Sequence, residues 1–187
     1  MQQLDETRLP RAALALGLLG GAGAILGATA LILSGTAHAG EEIIRGTVDG
    51  EERTWERFDT DDGGPAFFTD LPAGARLFNL HGLRDGSTPN PLGSLIVSVT
   101  TFNDNVGRVE VSYYHEQAGG PDFVGNDQLE NVEYEFDRLE VDGDTARISG
   151  RVSGELHHRE NPLSEETDPS RTRSVEVEFD TTLPEQK

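Results

Sequence analysis

The chain has 187 residues with 34 acidic against 15 basic side chains, a formal charge of −19 and no cysteine. A field of that sign repels nucleic acid and anionic membrane surfaces and attracts cations. The missing cysteine excludes a structural disulfide and the lipid-modified cysteine of a bacterial lipoprotein, so the fold has to stand on its own core.

Residues 1–39 read as an export signal. Arg8 and Arg11 precede an apolar run over 12–33, and the segment closes on Ala37-His38-Ala39, a small-residue pattern for cleavage before Gly40. The apolar run, 22 residues, exceeds the ~7–15 of a typical signal core and is long enough to span a bilayer. An uncleaved membrane anchor is therefore the alternative. Gly17 with Gly21 and Gly23 with Gly27 would let a second helix approach a retained anchor closely, whereas the helix-weakening glycines and the Ala-x-Ala end suit a cleaved signal better. Both readings put 40–187 outside the cytoplasm, in the periplasm or secreted, with membrane contact only if the N-terminal helix is retained. Asp5, Glu6, Arg8 and Arg11 cancel, so 40–187 carries the whole −19. Its length suits one domain.

Period-two alternation dominates 40–187, and no segment there has a sustained helical stripe. Strands are predicted at 42–48, 53–58, 66–71, 75–81, 94–102, 108–115, 131–141, 145–157 and 173–179. The clearest, 145–157, sets Ala146, Ile148, Gly150, Val152, Gly154 and Leu156 on one face and Arg147, Ser149, Arg151, Ser153, Glu155 and His157 on the other. Strand 131–141 changes phase between Phe136 and Leu139, which a bulge near Asp137 and Arg138 reconciles. Asp49-Gly50 and Asp142-Gly143 read as two-residue hairpin turns with positive φ at both centres. Turns every 8–12 residues argue for an antiparallel β-sandwich or a closed β-barrel. Residues 84–93, 117–130 and 159–171 are too polar or too punctuated for strands and read as loops, where binding in an all-β scaffold usually sits.

Several constellations could carry chemistry. Asp59, Asp61 and Asp62 precede Gly63-Gly64, with Asp70 eleven residues after Asp59. This partly matches a Ca²⁺ loop of the EF-hand type, but Gly63 stands where an acid or amide is wanted, and Phe67, Phe68 and Leu71 continue as a strand. The same segment also reads as a solvated turn. No cofactor other than such a Ca²⁺ ion is indicated. The acidic rows Glu133/Glu135 and Glu176/Glu178/Asp180 have the spacing of a hydrolase's carboxylate pair, yet any strand delivers that spacing, and Arg147 and Arg151 can lace them into a charged sheet face. His157 and His158, adjacent in a strand, point to opposite faces. Tyr113 and Tyr114 split likewise, which leaves one ring beside His115 and Glu116 to stack on a sugar or peptide. Tyr114, His115 and Glu116 are the candidate ligand-binding residues. No metalloprotease, serine-hydrolase or phosphate-loop motif is present.

The C-terminal third, Asp137-Arg138-Leu139-Glu140-Val141-Asp142-Gly143-Asp144 through Ile148-Ser149-Gly150-Arg151-Val152-Ser153-Gly154-Glu155-Leu156 to Val177-Glu178-Phe179-Asp180-Thr181, resembles the closing hairpins of uncharacterised exported bacterial β-sandwich proteins. The resemblance implies a β-sandwich outside the cytoplasm and brings no activity with it. The expectation is an exported acidic module that binds an envelope or extracellular protein or glycan. A Ca²⁺-stabilised module and a hydrolase with surface carboxylates are the alternatives.

Overall fold

A computed structural model describes residues 40–58, 64–84, 86, 90–115, 120–161 and 164–186. The signal or anchor segment, 1–39, lies outside the described residues, as do Asp59, Asp61, Asp62 and Glu116. The described chain is all-β, as the alternation requires. Ten strands follow in order: β1 (Glu42–Val48), β2 (Glu51–Glu56), β3 (Phe67–Leu71), β4 (Ala75–Gly82), β5 (Leu95–Phe102), β6 (Asn105–Tyr113), β7 (Phe123–Asn126), β8 (Val132–Asp142), β9 (Thr145–His158) and β10 (Asp168–Pro184).

They form one open, antiparallel sheet in the order β2-β1-β10-β9-β7-β6-β5-β4-β3, and β8 branches off to pair with β9. Nine of the ten overlap predicted segments, but β10, at Asp168–Pro184, begins inside the predicted loop 159–171 and runs on past 179, because its pairing with β9 continues beyond the alternating apolar run. The tenth, β7, lies in the stretch predicted to be a loop, where Gly125 and flanking polar residues hide a four-residue strand. It is short, yet it links β6 to β9 through Tyr113↔Phe123 and Phe123↔His158.

Every strand sends its alternate side chains to a common core that includes Trp55, Phe68, Phe78, Leu80, Val97, Val111, Ile148, Val152, Leu156, Val177, Phe179 and Leu183. Fully burying one such aliphatic or Phe side chain contributes about 1.5–3 kcal/mol. Isolated bridges Glu56↔Leu83 and Phe68↔Glu185 tie strand ends that lie far apart along the sheet path. β9 and β10 pair from Asp168↔His158, where one strand ends and the other begins, to Thr145↔Pro184, broken only by extra residues between Asp168 and Thr172.

The turns follow their residues, with one correction. Asp49 (φ 53°) and Gly50 (φ 78°) both sit at positive φ, as predicted. The β8–β9 turn was predicted on Asp142-Gly143 with both centres at positive φ. Asp142 instead pairs with Thr145, so the loop is Gly143-Asp144 and the positive φ falls on Gly143. Glycine at the first centre is the alternative two-residue solution compatible with strand twist. The predicted bulge is present, as a register shift between Phe136 and Arg138.

β7 and β8 occupy successive stretches of the same side of β9. β7 meets His157 and His158, β8 runs from Gly154 to Thr145, and residues 127–131 cross between them. The crossing leaves β6 at Val109, whose N–H and C=O meet Asp127, and joins β9 where Glu155 N–H donates to Asn131 O at 3.0 Å.

Candidate functional site

The inward rows of three strands end in polar groups at one end of the core. On β6 the row Val109, Val111, Tyr113 continues to His115, just beyond the strand. On β9 the row Ile148, Val152, Leu156 continues to His158, itself buried. On β10, Arg173 occupies the inward phase ahead of Val175, Val177 and Phe179. Phe123 of β7 stands between the first two, with His115 at 5.9 Å and His158 at 5.3 Å, both edge-on, and Arg173 Cζ lies 5.3 Å from its ring centroid.

Two arginines reach the imidazoles. Arg173 Nη2 lies 2.6 Å from His115 Nε2, and Arg171 Nη1 lies 3.2 Å from His158 Nδ1. A guanidinium can only donate, so in each contact the arginine is the donor and the imidazole nitrogen the acceptor. Arg173 also donates from Nη1 to Asp49 Oδ2 at 2.5 Å, while its buried Nε has no acceptor among the described residues. Asp122 is buried, and its Oδ1 accepts the His115 backbone N–H at 2.6 Å. These groups line a cleft of about 530 Å³ together with Glu160, Ser170 and Thr172. Beneath it, the Tyr113 hydroxyl accepts from Arg53 Nη1 at 2.7 Å. Burial pushes the Tyr113 phenol up, against the pull of Arg53, Arg173 and Arg84.

Tyr114 and His115 diverge. Tyr114 leaves on the opposite side of the β6 terminus and stacks on His81, with centroids 6.3 Å apart and planes at 8°, while His115 faces the cleft and Tyr113, 6.2 Å away. Burial raises the Tyr114 phenol, and the Arg159 charge opposes the shift. Of the Ca²⁺ candidates, Asp70 accepts from Arg76 Nε at 2.6 Å, and the other three are outside the described residues. Among the described residues no group of three or more His, Asp or Glu side chains is arranged to hold a metal. The acidic rows lie on the outer face, where Glu178 pairs with Arg45 at 2.5 Å and Glu135 with Arg151.

Burial also holds His81 below its ordinary value of 6.5, and its Nε2 has no partner among the described atoms. The unfolded chain therefore takes up this proton first, so stability falls as pH drops below about 6.5 toward the lowered folded value and levels off beneath it. His81→Asn should flatten the pH dependence of the denaturation midpoint in that window; a variant curve parallel to the wild type would show that His81 does not titrate there.

Sequence reasoning missed Asp122, Phe123, His158, Arg171 and Arg173 as a group. The available signal was the alternation itself, extended one step past the last apolar residue of 109–113 and 146–156 and one step ahead of 175–179.

Comparison with known proteins returns no matching family model, no similar curated protein and no similar solved structure.

Proposed function

We propose that the chain is an exported binding module, a β-sandwich of two five-stranded halves, β2-β1-β10-β9-β8 and β3-β4-β5-β6-β7, joined where β7 meets β9. Its ligand site is the cleft at the end of the core, and the ligand group is a carboxylate carried by an envelope or extracellular protein or glycan. One observation carries the reading: the inward rows of β6, β9 and β10 end in His115, His158 and Arg173, polar groups at phases where packing alone would favour apolar ones. Such local departures from the folding pattern are characteristic of functional sites, and a concave site with a few convergent polar groups is what small ligand groups need. Arg171 lies against His158 through Nη1, and, after the Ser170 hydrogen bonds, its charge helps to lower the Asp168 carboxyl without a direct ion pair, so a ligand carboxylate could take a bidentate contact with the guanidinium. The C-terminal resemblance to exported β-sandwich proteins and the Ala37-His38-Ala39 end support the location.

The test uses the protein expressed with its own N-terminal segment in a bacterial host and recovered outside the cytoplasm. Its first residue should be Gly40; a full-length chain in the membrane fraction selects the anchor, and one in the cytosol overturns export. Titration with oligogalacturonate and, separately, a glutamate-rich peptide at fixed NaCl should shift the amide resonances of His115, Phe123, His158 and Arg173, and Arg171→Gln should weaken binding about tenfold. Response to one probe alone identifies a glycan or a protein source. Shifts confined to other regions, or no shifts, overturn the site.

A further inference from the structure

The cleft uses one end of the core; a different feature lies along its side. β8 pairs with β9 on one edge, and among the described residues its other edge carries no ladder. The first half of β6 is in the same position, since β7 covers Glu110 to Tyr113 and leaves Asn105 to Arg108 without a neighbour on that side. Register places the two open edges at one level. Val124 of β7 stands opposite Ser112 of β6 and His157 of β9, so three steps down the sheet Val109 is level with Gly154, which is the partner of Val132 at the start of β8.

The margins of this seam are apolar. The partly covered apolar residues packed against the core are Val106 of β6 and Phe136, Leu139 and Val141 of β8, all from its two bordering strands. Tyr134 is 41% exposed, packs on Phe136 at 5.5 Å, and Phe136 in turn reaches Phe179 at 6.1 Å. The side of the core that is least covered is thus the side where two strand edges have unpaired backbone. The outward row of β8 is acidic: Glu133, Glu135, Glu140 and Asp142, with Arg138 as its basic member. Arg151 engages Glu135 from β9, and Arg138 lies 3.8 Å from Glu140.

We infer that this seam is a docking edge for an added β-strand, supplied by an extended polypeptide whose outward side chains are basic and whose inward ones are apolar. Backbone pairing with β8 supplies the hydrogen bonds, inward apolar side chains cover Tyr134 and Phe136, and outward Arg or Lys meets Glu133 and Glu135. The same charges select against a second copy of this chain, because β8 against β8 sets acid opposite acid. The bulge at Asp137 interrupts the edge and confines good pairing to residues 132–136, which also blunts indiscriminate edge-to-edge association.

The experiment titrates the exported protein with a capped octapeptide alternating Arg and Val, and with the same peptide N-methylated at alternate amides. The unmodified peptide should bind saturably and protect the amides of residues 132–136 from hydrogen exchange, and the methylated peptide, equal in charge and side chains, should bind at least about tenfold more weakly. Glu133→Lys, on an exposed position, should weaken the unmodified peptide several-fold without changing the unfolding midpoint. Equal binding of both peptides reduces the surface to a simple charge effect and overturns the proposal. Protection elsewhere, no binding at millimolar peptide, or concentration-dependent self-association through β8 overturns it as well. Arg171→Gln leaves this binding unchanged, so failure here is separable from failure at the cleft.

Discussion

Trp55→Ala should lower the unfolding free energy by about 3–5 kcal/mol, a large share of the roughly 5–15 kcal/mol that a domain of this kind possesses. Trp55 is fully buried on β2, the strand at one end of the sheet path, and the exposed sequence around it, Glu51, Glu52 and Thr54, gives that strand little else to hold it. Its side chain passes Gly82 so closely that an added methyl there would sit 2.5 Å from Trp55 Cβ. Its Nε1–H donates to the Gly93 carbonyl at 2.7 Å, which anchors the segment leading into β5. Removing the ring leaves a cavity and orphans that carbonyl. Trp55→Phe separates the two effects, because it keeps most of the apolar area and loses the donor; the expected cost is about 1–3 kcal/mol. Denaturant unfolding at fixed high NaCl measures both. A loss under about 1 kcal/mol for Trp55→Ala would mean that β2 is not packed against the sheet as described.

Gly154→Val is the second large effect. The residue sits at φ +158°, and a Cβ there would lie 2.1 Å from Asn131 O and 2.8 Å from Val132 Cα, where 127–131 crosses from β6 to β9. Neither obstacle is a flexible side chain, so relief requires the crossing to move away and the first rungs of the β8–β9 ladder to open. Backbone strain and overpacking together cost on the order of 3 kcal/mol, a fall in Tm of roughly 6–12 °C at this size. Gly50→Ala is the matched control: φ is +78° and nothing lies within 4 Å, so only the left-handed backbone penalty of about 1–2 kcal/mol applies. Equal losses in the two variants would show that the close approach at Gly154 is absent in solution.

Much of the architecture was legible because its signals are local. A strand alternates with a period of two wherever one face is buried, so Ala146, Ile148, Val152 and Leu156 announced their inward row, and the phase change after Phe136 announced the bulge. The β8–β9 turn was misplaced by one residue because Asp-Gly and Gly-Asp both satisfy a two-residue loop, and the choice between them depends on cross-strand register. β7 was missed for a related reason. Four residues with a central glycine carry no periodic signal, and Phe123, Val124 and Gly125 are all buried because β6 and β9 flank them.

The candidate site was less legible. His115 was singled out beside Tyr114, and local alternation separated the two rings, but nothing local indicated where His115 would point its imidazole. Its partner Arg173 is 58 residues away. That His157 and His158 point to opposite faces was a correct inference, but it missed the inward row that His158 terminates.

What the sequence determined by itself is nine of the ten strands, their inward and outward phases, and the sign of the surface, since these depend on residues a few positions apart. What only the tertiary structure decided is adjacency. The pairings of β7 with β9 and β1 with β10 join residues far apart in the chain, and many alternative orders would bury comparable apolar area. That choice brings His115, Phe123, His158 and Arg173 into one cleft, and it leaves β8 and the first half of β6 facing a common seam without a strand between them.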